Sequence, residues 1–567
     1  MTKLTLLCIS LAVIHVVQAV SSNDWWKDAI IYQIYPRSFK DSNGDGIGDL
    51  NGITSKLEHV RDIGADALWL SPIYTSPQVD FGYDVANFTD VDPQYGTLAD
   101  FDRLAAKAKK LGLKVILDFV PNHSSNEHEW FKMSVERIKP YVDFYVWRDA
   151  KIVNGVRKPP NNWLSAFGGS AWEWNEQRGQ YYLHQFAIGQ PDLNYYNVLV
   201  YDTMTDVLKF WMDRGADGFR IDAVNHMFED VRMLDEPRNN NNVPIDDYDS
   251  LDHIYTKDQI ETYEVIKAWR NMLNQYSEVH NTDGKFIVTE AYTNLDEIMK
   301  YFQAGANPFN FAFISSLNDK SVAKDFEREI KNWLENIPNY RDANWVTGNH
   351  DNHRIATRYG AKKSDMVIML SMVLPGFCVV YNGDEIGMVN KFLTWEETRD
   401  ISGCNAGPDR YFIKSRDPER TPFQWDDSVS GGFSTSEKTW LPVHENYKTL
   451  NLKRQKLQDV SNYKFFKSLT NLRKNFSVIK NGDFDMKLMS DNVLVVLRSL
   501  EGLSSVVLVI NTAETEVVVD VNIWLNIPKQ MVVYSSNVDS KINIGSFVDT
   551  SSVKLPASGS VVLVPKL

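Results

Sequence analysis

Short runs rich in β-branched and aromatic residues recur at 29–35, 67–70, 114–120, 216–221, 286–289, 310–313, 345–347 and 377–381. Between them lie stretches with apolar positions at helical spacing, such as 98–111, 203–214, 257–273, 321–333 and 365–372. Eight strands alternating with helices predict an α/β fold of the (β/α)8 TIM-barrel type, whose chemistry gathers at the carboxyl ends of the strands. Two intervals break the rhythm. Residues 122–197 are too long for an ordinary loop and are rich in Trp, Tyr, Gly and Asn, which predicts an inserted subdomain after strand three. Residues 390–455 are irregular and aromatic, the expected second wall of a site. From residue 483 the pattern turns to β runs at 493–498, 505–510, 516–521, 531–534 and 561–564, predicting a C-terminal β-sandwich. The barrel would then comprise 20–121 and 198–482.

The charge balance narrows the partners. The 567 residues carry a formal net charge of −14 with no basic block, a poor match for nucleic acid or anionic membrane. Only Cys8, Cys378 and Cys404 are present, so a disulfide scaffold is excluded; Cys378, in an apolar run, is expected to be a buried free thiol. Residues 1–19 join a basic end at Lys3, an apolar run and a small residue, Ala19. That pattern predicts a cleaved leader and a soluble, secreted product beginning near Val20, with no membrane anchor. Asn87 and Asn475 head glycosylation sequons at plausible surface positions; Asn122 heads a third, expected to be blocked by burial.

The strand ends carry the candidate chemistry. Strand three runs into Asp118-Phe-Val-Pro-Asn122-His123, strand four into Arg220-Ile-Asp222-Ala223, strand five into Glu290, and strand seven into Asn349-His350-Asp351. Asp222, Glu290 and Asp351 thus come from three strand tips, with Arg220, His123 and His350 on the same rim. Three carboxylates with interspersed Arg and His suit oxocarbenium chemistry, in which one acid attacks, one donates a proton and one holds the sugar.

These four segments resemble the signature regions of the α-amylase superfamily, family 13 of the glycoside hydrolases. Gln190-Pro-Asp-Leu-Asn194, Gly383-Asp-Glu-Ile-Gly387, the run 415–425 beginning Ser415-Arg416-Asp-Pro-Glu-Arg420, the opening Ile31-Tyr-Gln-Ile-Tyr-Pro-Arg37 and Gly82-Tyr-Asp84 resemble further motifs of its α-glucosidase branch. The likeness spans roughly residues 24–567 and is nearest to secreted insect maltases, those of bees among them. It implies a retaining, exo-acting α-glucosidase on small oligosaccharides, with Asp222 as nucleophile, Glu290 as acid/base and Asp351 as the third carboxylate. It further implies that Arg220 pairs with Asp222 and keeps it ionised, that His123 and His350 hydrogen-bond the bound glucose, and that Asp84 and Arg416 grip its non-reducing end. Ala223, after the nucleophile, resembles the α-1,4 type, since Val there marks the α-1,6-specific members.

Asp41-Ser-Asn43-Gly-Asp45-Gly46-Ile47-Gly-Asp49 sets oxygen donors at positions 1, 3, 5 and 9 with Gly at 6, and resembles the first nine positions of a calcium loop. The Ile47 carbonyl could supply position 7, whereas Gly52 replaces the bidentate Glu at position 12. Hard oxygen donors favour structural Ca²⁺, with Mg²⁺ second. The related enzymes often hold calcium at this loop. No organic cofactor is expected.

Overall fold

The computed structural model describes residues 24–501, 505–524 and 527–566. The leader expected at 1–19, and Cys8 within it, lie outside the described residues.

The eight barrel strands are β1 (Ile30–Ile34), β2 (Ala67–Leu70), β3 (Lys114–Phe119), β4 (Gly218–Ile221), β5 (Phe286–Thr289), β6 (Asn307–Pro308), β7 (Asn344–Val346) and β8 (Phe377–Tyr381), all but β6 overlapping a predicted run. Each is followed by a helix: α1 (Leu50–Asp62), α2 (Leu98–Lys110), α3 (Val198–Asp213), α4 (Ile260–His280), α5 (Leu295–Gln303), α6 (Ala323–Asn336), α7 (Ile355–Val373) and α8 (Asn462–Asn475). The sheet order β6-β5-β4-β3-β2-β1-β8-β7 is parallel at every pairing. This is the expected (β/α)8 barrel. Side chains alternate across the pleat. Ile31, Ala67, Ile116, Phe286, Val346 and Val379 fill the barrel, whereas Ile30, Tyr32, Leu68 and Leu117 face the helices. Gly218 opens β4 because a Cβ there would come 2.6 Å from that of Phe286.

No backbone ladder joins β6 to β7 among the described residues. The seam is closed by a buried side chain instead: Asn344 accepts from the Asn310 amide (2.7 Å) and donates to the Pro308 carbonyl (2.7 Å). The aromatic run 310–313 is not a strand; the strand is Asn307–Pro308 and the chain then coils into a π-helix at Ala312–Ser316. Pro308 cannot extend a ladder, and the Asn310 side chain takes the Ala312 amide (3.0 Å), turning the backbone away.

Between β3 and α3, three short strands, Trp147–Arg148, Trp172–Asn175 and Gln180–Leu183, form an antiparallel sheet. Trp163, Trp172, Tyr181 and Leu183 pack its core. The segment after β8 is irregular, with only short helical turns. The C-terminal sheet comprises β9 (Asp483–Ser490), β10 (Val493–Ser499), β11 (Val506–Asn511), β12 (Gln530–Ser536), β13 (Phe547–Asp549) and β14 (Ser560–Val564), in the order β9-β10-β11-β14-β12-β13. Val495, Val507 and Leu563 share a core with Val519 and Leu555 of a second, two-stranded sheet, while Leu494, Val496 and Leu508 join the core of the barrel side. Strands 483–490 and 547–549 lie outside the predicted runs because, charged or polar and half-exposed, they lack the apolar signal that a buried strand gives; Val553–Leu555 buries two apolar side chains but is too short a run to stand out.

Cys378 is buried and Cys404 exposed, and both are free; burial pushes the Cys378 thiol up to about 11. Asn87 and Asn475 are exposed and Asn122 is buried. No helix among the described residues is long and apolar enough to cross a membrane.

The 41–49 loop is closed on itself. Asp41 accepts from the amides of Asn43, Gly44 and Gly46 and from Ser434 Oγ. Asp49 caps α1 through the Gly52 amide and accepts from Ser42. Asp45 accepts from Asn43 Nδ2 and the Ile47 amide. Among the described residues no three His, Cys, Asp or Glu side chains converge as a cation cage; of the predicted donors Asp41, Asn43, Asp45, Ile47 and Asp49, the three carboxylates and the Asn43 amide oxygen all accept hydrogen bonds from within or beside the loop.

Candidate active site

At the carboxyl ends of the strands a cavity of about 290 Å³ is lined by Asp80, Asp222, Glu290, Asp351 and Arg416, with His123 and Ala223 among its other walls. Its floor is organised by Arg220. This side chain is 2% exposed and meets three acids, Asp118 Oδ1 at 2.6 Å, Asp222 Oδ1 at 2.5 Å and Glu290 Oε2 at 2.9 Å. Glu290 Oε2 also accepts from the Ala223 amide at 3.0 Å, which requires the left-handed backbone at Ala223 (φ 43°). Among the described residues no protein donor reaches Asp222 Oδ2 or Glu290 Oε1. Each acid therefore keeps one oxygen for a ligand.

Three carboxyls sharing one guanidinium cannot all ionise cheaply in a buried site. Burial pushes Asp222 up to about 7 against the pull of Arg220, with Asp118 and Asp351 adding repulsion. Burial does the same to Glu290, to about 7, again opposed by Arg220 and helped by Asp222 and Asp351. Asp118 is held at about 7 by burial. Arg220 does contact Asp222 as expected and pulls its pKa down, but burial outweighs that pull. Asp351 differs. Burial opposes its ionisation, yet the Arg420 and Arg416 guanidinium groups beside it hold its carboxyl well below the usual range. Arg420 donates to Asp351 Oδ1 at 2.7 Å and Arg416 at 3.2 Å.

The two histidines are neutral, since burial lowers His123 to about 3 and His350 well below its ordinary value. His123 lines the cavity, its Nε2 placed 3.1 Å from the Tyr83 carbonyl. His350 is set behind the wall rather than on it. Its ring stacks between Tyr35 and Tyr83, at 5.4 and 5.3 Å, and its nitrogens meet Gln33 Nε2 (2.8 Å) and Tyr83 Oη (2.7 Å). With Gln33 donating to Nδ1, the proton sits on Nε2 and faces Tyr83, whose hydroxyl donates to Asp118 (3.0 Å). In this placement His350 orients Tyr83 and Asp351 and has no free nitrogen for a sugar.

Asp84 is also displaced from its expected place. It is fully buried, and its carboxylate accepts from Ser76 Oγ and the amides of Val79 and Asp80 (2.9, 2.7 and 3.0 Å), which folds the loop. The acid that meets Arg416 is Asp80, at 2.7 Å, and Asp400 shares the same guanidinium. Gln78 (φ 67°) and Phe81 (φ 45°) hold left-handed backbone on either side of Asp80, local strain of the kind that accumulates at working sites. The signal was in the run Gln78-Val79-Asp80-Phe81-Gly82-Tyr83-Asp84, which contains both acids, and only the fold distinguishes them. Asp118, Tyr83, Asp400 and Arg420 were likewise unassigned in the sequence reading. Among the aromatic residues of the insertion, Phe167 and Phe186 reach the cavity, and Phe167 lies 5.0 Å from the Arg416 guanidinium.

A barrel with these acids at the tips of β4, β5 and β7 defines a glycoside hydrolase, and residues 33–482 match the model of the α-amylase catalytic domain. The chain belongs to that family. It is 48% identical to the α-glucosidase of Apis mellifera over 539 residues, 95% of this chain and 94% of that one. It is 45% identical to the salivary α-glucosidase of Aedes aegypti, with 95% of each covered. Among solved structures, an α-glucosyl transfer enzyme, XgtA, superposes with a TM-score of 0.83 at 33% identity, covering 96% of this chain and 99% of that one.

Proposed function

We propose that this chain is a secreted, retaining, exo-acting α-glucosidase that releases α-D-glucose from the non-reducing end of maltose, sucrose and short α-1,4-glucosides. The observation that carries the reading is the pairing of Asp222 and Glu290 across Arg220, each with one oxygen open to the same cavity. Asp222 Oδ2 attacks the anomeric carbon while Glu290 gives its proton to the glycosidic oxygen and the aglycone leaves. The Glu290 carboxylate then takes a proton from water, which attacks the same carbon and frees Asp222. Two inversions return the α-anomer. Asp351, ionised throughout, suits sugar hydroxyls and the positive charge of the transition state. Asp80 and Arg416 tie the β2–α2 loop to the β8–α8 connection at the cavity, which lies at the lower bound of ~300–1,000 Å³ for ligand pockets. That room suits one terminal sugar and not a polysaccharide passing through. The test is the anomer released from maltose, followed by NMR before mutarotation; β-glucose as first product would overturn the mechanism.

Burial of Glu290 sets the alkaline limb. Its proton is held up to about 7, so kcat/KM is expected to fall about tenfold per pH unit above that region. A pH–rate profile extending flat to pH 9 would remove Glu290 from the acid role.

Ala223 supports α-1,4 preference. A β-branched side chain at φ 43° is strained and would move the amide that Glu290 uses. Ala223→Val is expected to cut kcat/KM on maltose at least tenfold and to raise the isomaltose-to-maltose ratio. Relative rates on maltose, sucrose and isomaltose check this, and a wild-type preference for isomaltose would refute it.

Secretion is supported by the leader pattern at 1–19 and by similarity to a salivary relative. Glycans at Asn87 and Asn475 are supported by their sequons and exposure. Calcium at the 41–49 loop is supported by donor spacing alone. If it binds there, chelation lowers the melting temperature; an unchanged melt with and without EDTA rules it out.

A further inference from the structure

A second cavity of about 390 Å³, larger than the catalytic one, lies between α5, α6 and the chain that follows β6. Phe309, Phe311 and Trp333 contribute rings to its wall, and Ser316, Glu329 and Asn332 contribute polar groups. No Lys or Arg lines it. An anion therefore finds no countercharge, and a lipid chain would strand the amide and hydroxyl groups. Aromatic faces beside hydrogen-bonding side chains suit a neutral polyhydroxylated ring, whose C–H faces are apolar and whose rim is polar. Two wall residues strengthen this. Asn310 and Trp333 are 4% and 5% exposed, and Asn310 Nδ2 and Trp333 Nε1 have no hydrogen-bond partner among the described residues. Unpaired donors of this kind are costly to bury, and an acceptor reaches them only where the wall shifts, because both nitrogens are sealed from the cavity as it stands. The π-helix Ala312–Ser316 borders the same space, an irregularity that recurs at functional sites.

The two cavities share Tyr292. Its ring stacks on Phe311 (4.5 Å between centroids, 12° between planes), and its hydroxyl accepts from Asn352 Nδ2 (3.1 Å), beside Asp351. The adjoining β6–β7 seam is bridged by the Asn344 side chain rather than a backbone ladder.

We propose that this cavity is a second, non-catalytic binding site for a neutral pyranose, and that its occupancy acts on the catalytic cavity through Tyr292. The choice of glucose as ligand rests on the α-glucosidase reading; the existence of the site does not. The test uses the full-length protein and two variants at exposed wall positions, Asn332→Trp and Ser316→Trp, each meant to fill the cavity. The catalytic carboxylate is first trapped with a slow-turnover fluoroglucosyl reagent, and glucose is then titrated by calorimetry and saturation-transfer NMR. The trapped wild type is expected to bind one further glucose. Asn332→Trp is expected to weaken that binding at least tenfold while kcat/KM on maltose stays within twofold. Glucose inhibition of p-nitrophenyl α-glucoside hydrolysis should be mixed in the wild type and purely competitive in the variant. No glucose bound by the trapped wild type, or binding that both variants leave unchanged, overturns the site. Failure of the reagent to label Asp222 would count against the hydrolytic reading instead. Titration of unlabelled protein would then decide the second site by its sensitivity to the same two variants.

Discussion

Asp222→Asn is expected to lower kcat on maltose by about 10⁴-fold or more, because the amide cannot form the glucosyl ester and no neighbouring group replaces it. The same substitution should raise stability at neutral pH. The folded protein holds protons on Asp118, Asp222 and Glu290 up to about 7, whereas free carboxyls lose theirs near ~4. Between those values the native state binds more protons than the unfolded chain, so stability falls as pH rises through the window. Removing one acid removes part of that loss. The variant should melt above wild type at pH 7.5, with the difference vanishing toward pH 4. Melting curves at both pH values and single-turnover kinetics check the pair of effects. Retained activity would reassign the nucleophile, and a lower melt at pH 7.5 would show that Arg220 needs this acid more than the other two repel it.

Arg416→Ala is expected to damage both binding and fold. The guanidinium touches Asp80 (2.7 Å), Asp351 (3.2 Å) and Asp400 (Nε, 3.1 Å), and Asp80 and Asp400 are 4% and 0% exposed. Leaving buried carboxylates without their partner costs about 3–5 kcal/mol. Arg420 moderates the loss, since it holds Asp351 at 2.7 Å and lies 3.9 Å from Asp400. Activity on maltose should fall at least 10³-fold, with KM rising. Arg416→Lys keeps a charge but cannot fork between the carboxylates, and should recover stability more than activity. Denaturant midpoints beside kcat and KM for both variants separate the effects. A variant with normal KM would show that the Asp80–Arg416 pair does not grip substrate.

The sequence reading reached the barrel because buried parallel strands are short apolar runs and their helices are amphipathic, so both signals are local. It missed β6, where Pro308 and Asn310 turn an aromatic run into a π-helix and a side chain closes the seam. It also missed the polar strands of the C-terminal sheet, whose pairing is decided by neighbours far along the chain.

By itself the sequence determined the alternation of strands and helices, the acids at the strand tips and the family, because these depend on residue types at fixed local spacing. Only the tertiary structure decided that Asp80, not Asp84, meets Arg416, and that His350 stands behind Tyr83. It alone showed that three acids contend for Arg220, so that burial raises Asp222 where a nearby cation alone would have lowered it. Those outcomes depend on which loops meet in space and how much water they exclude. A motif four residues from a better-placed carboxylate carries no record of either.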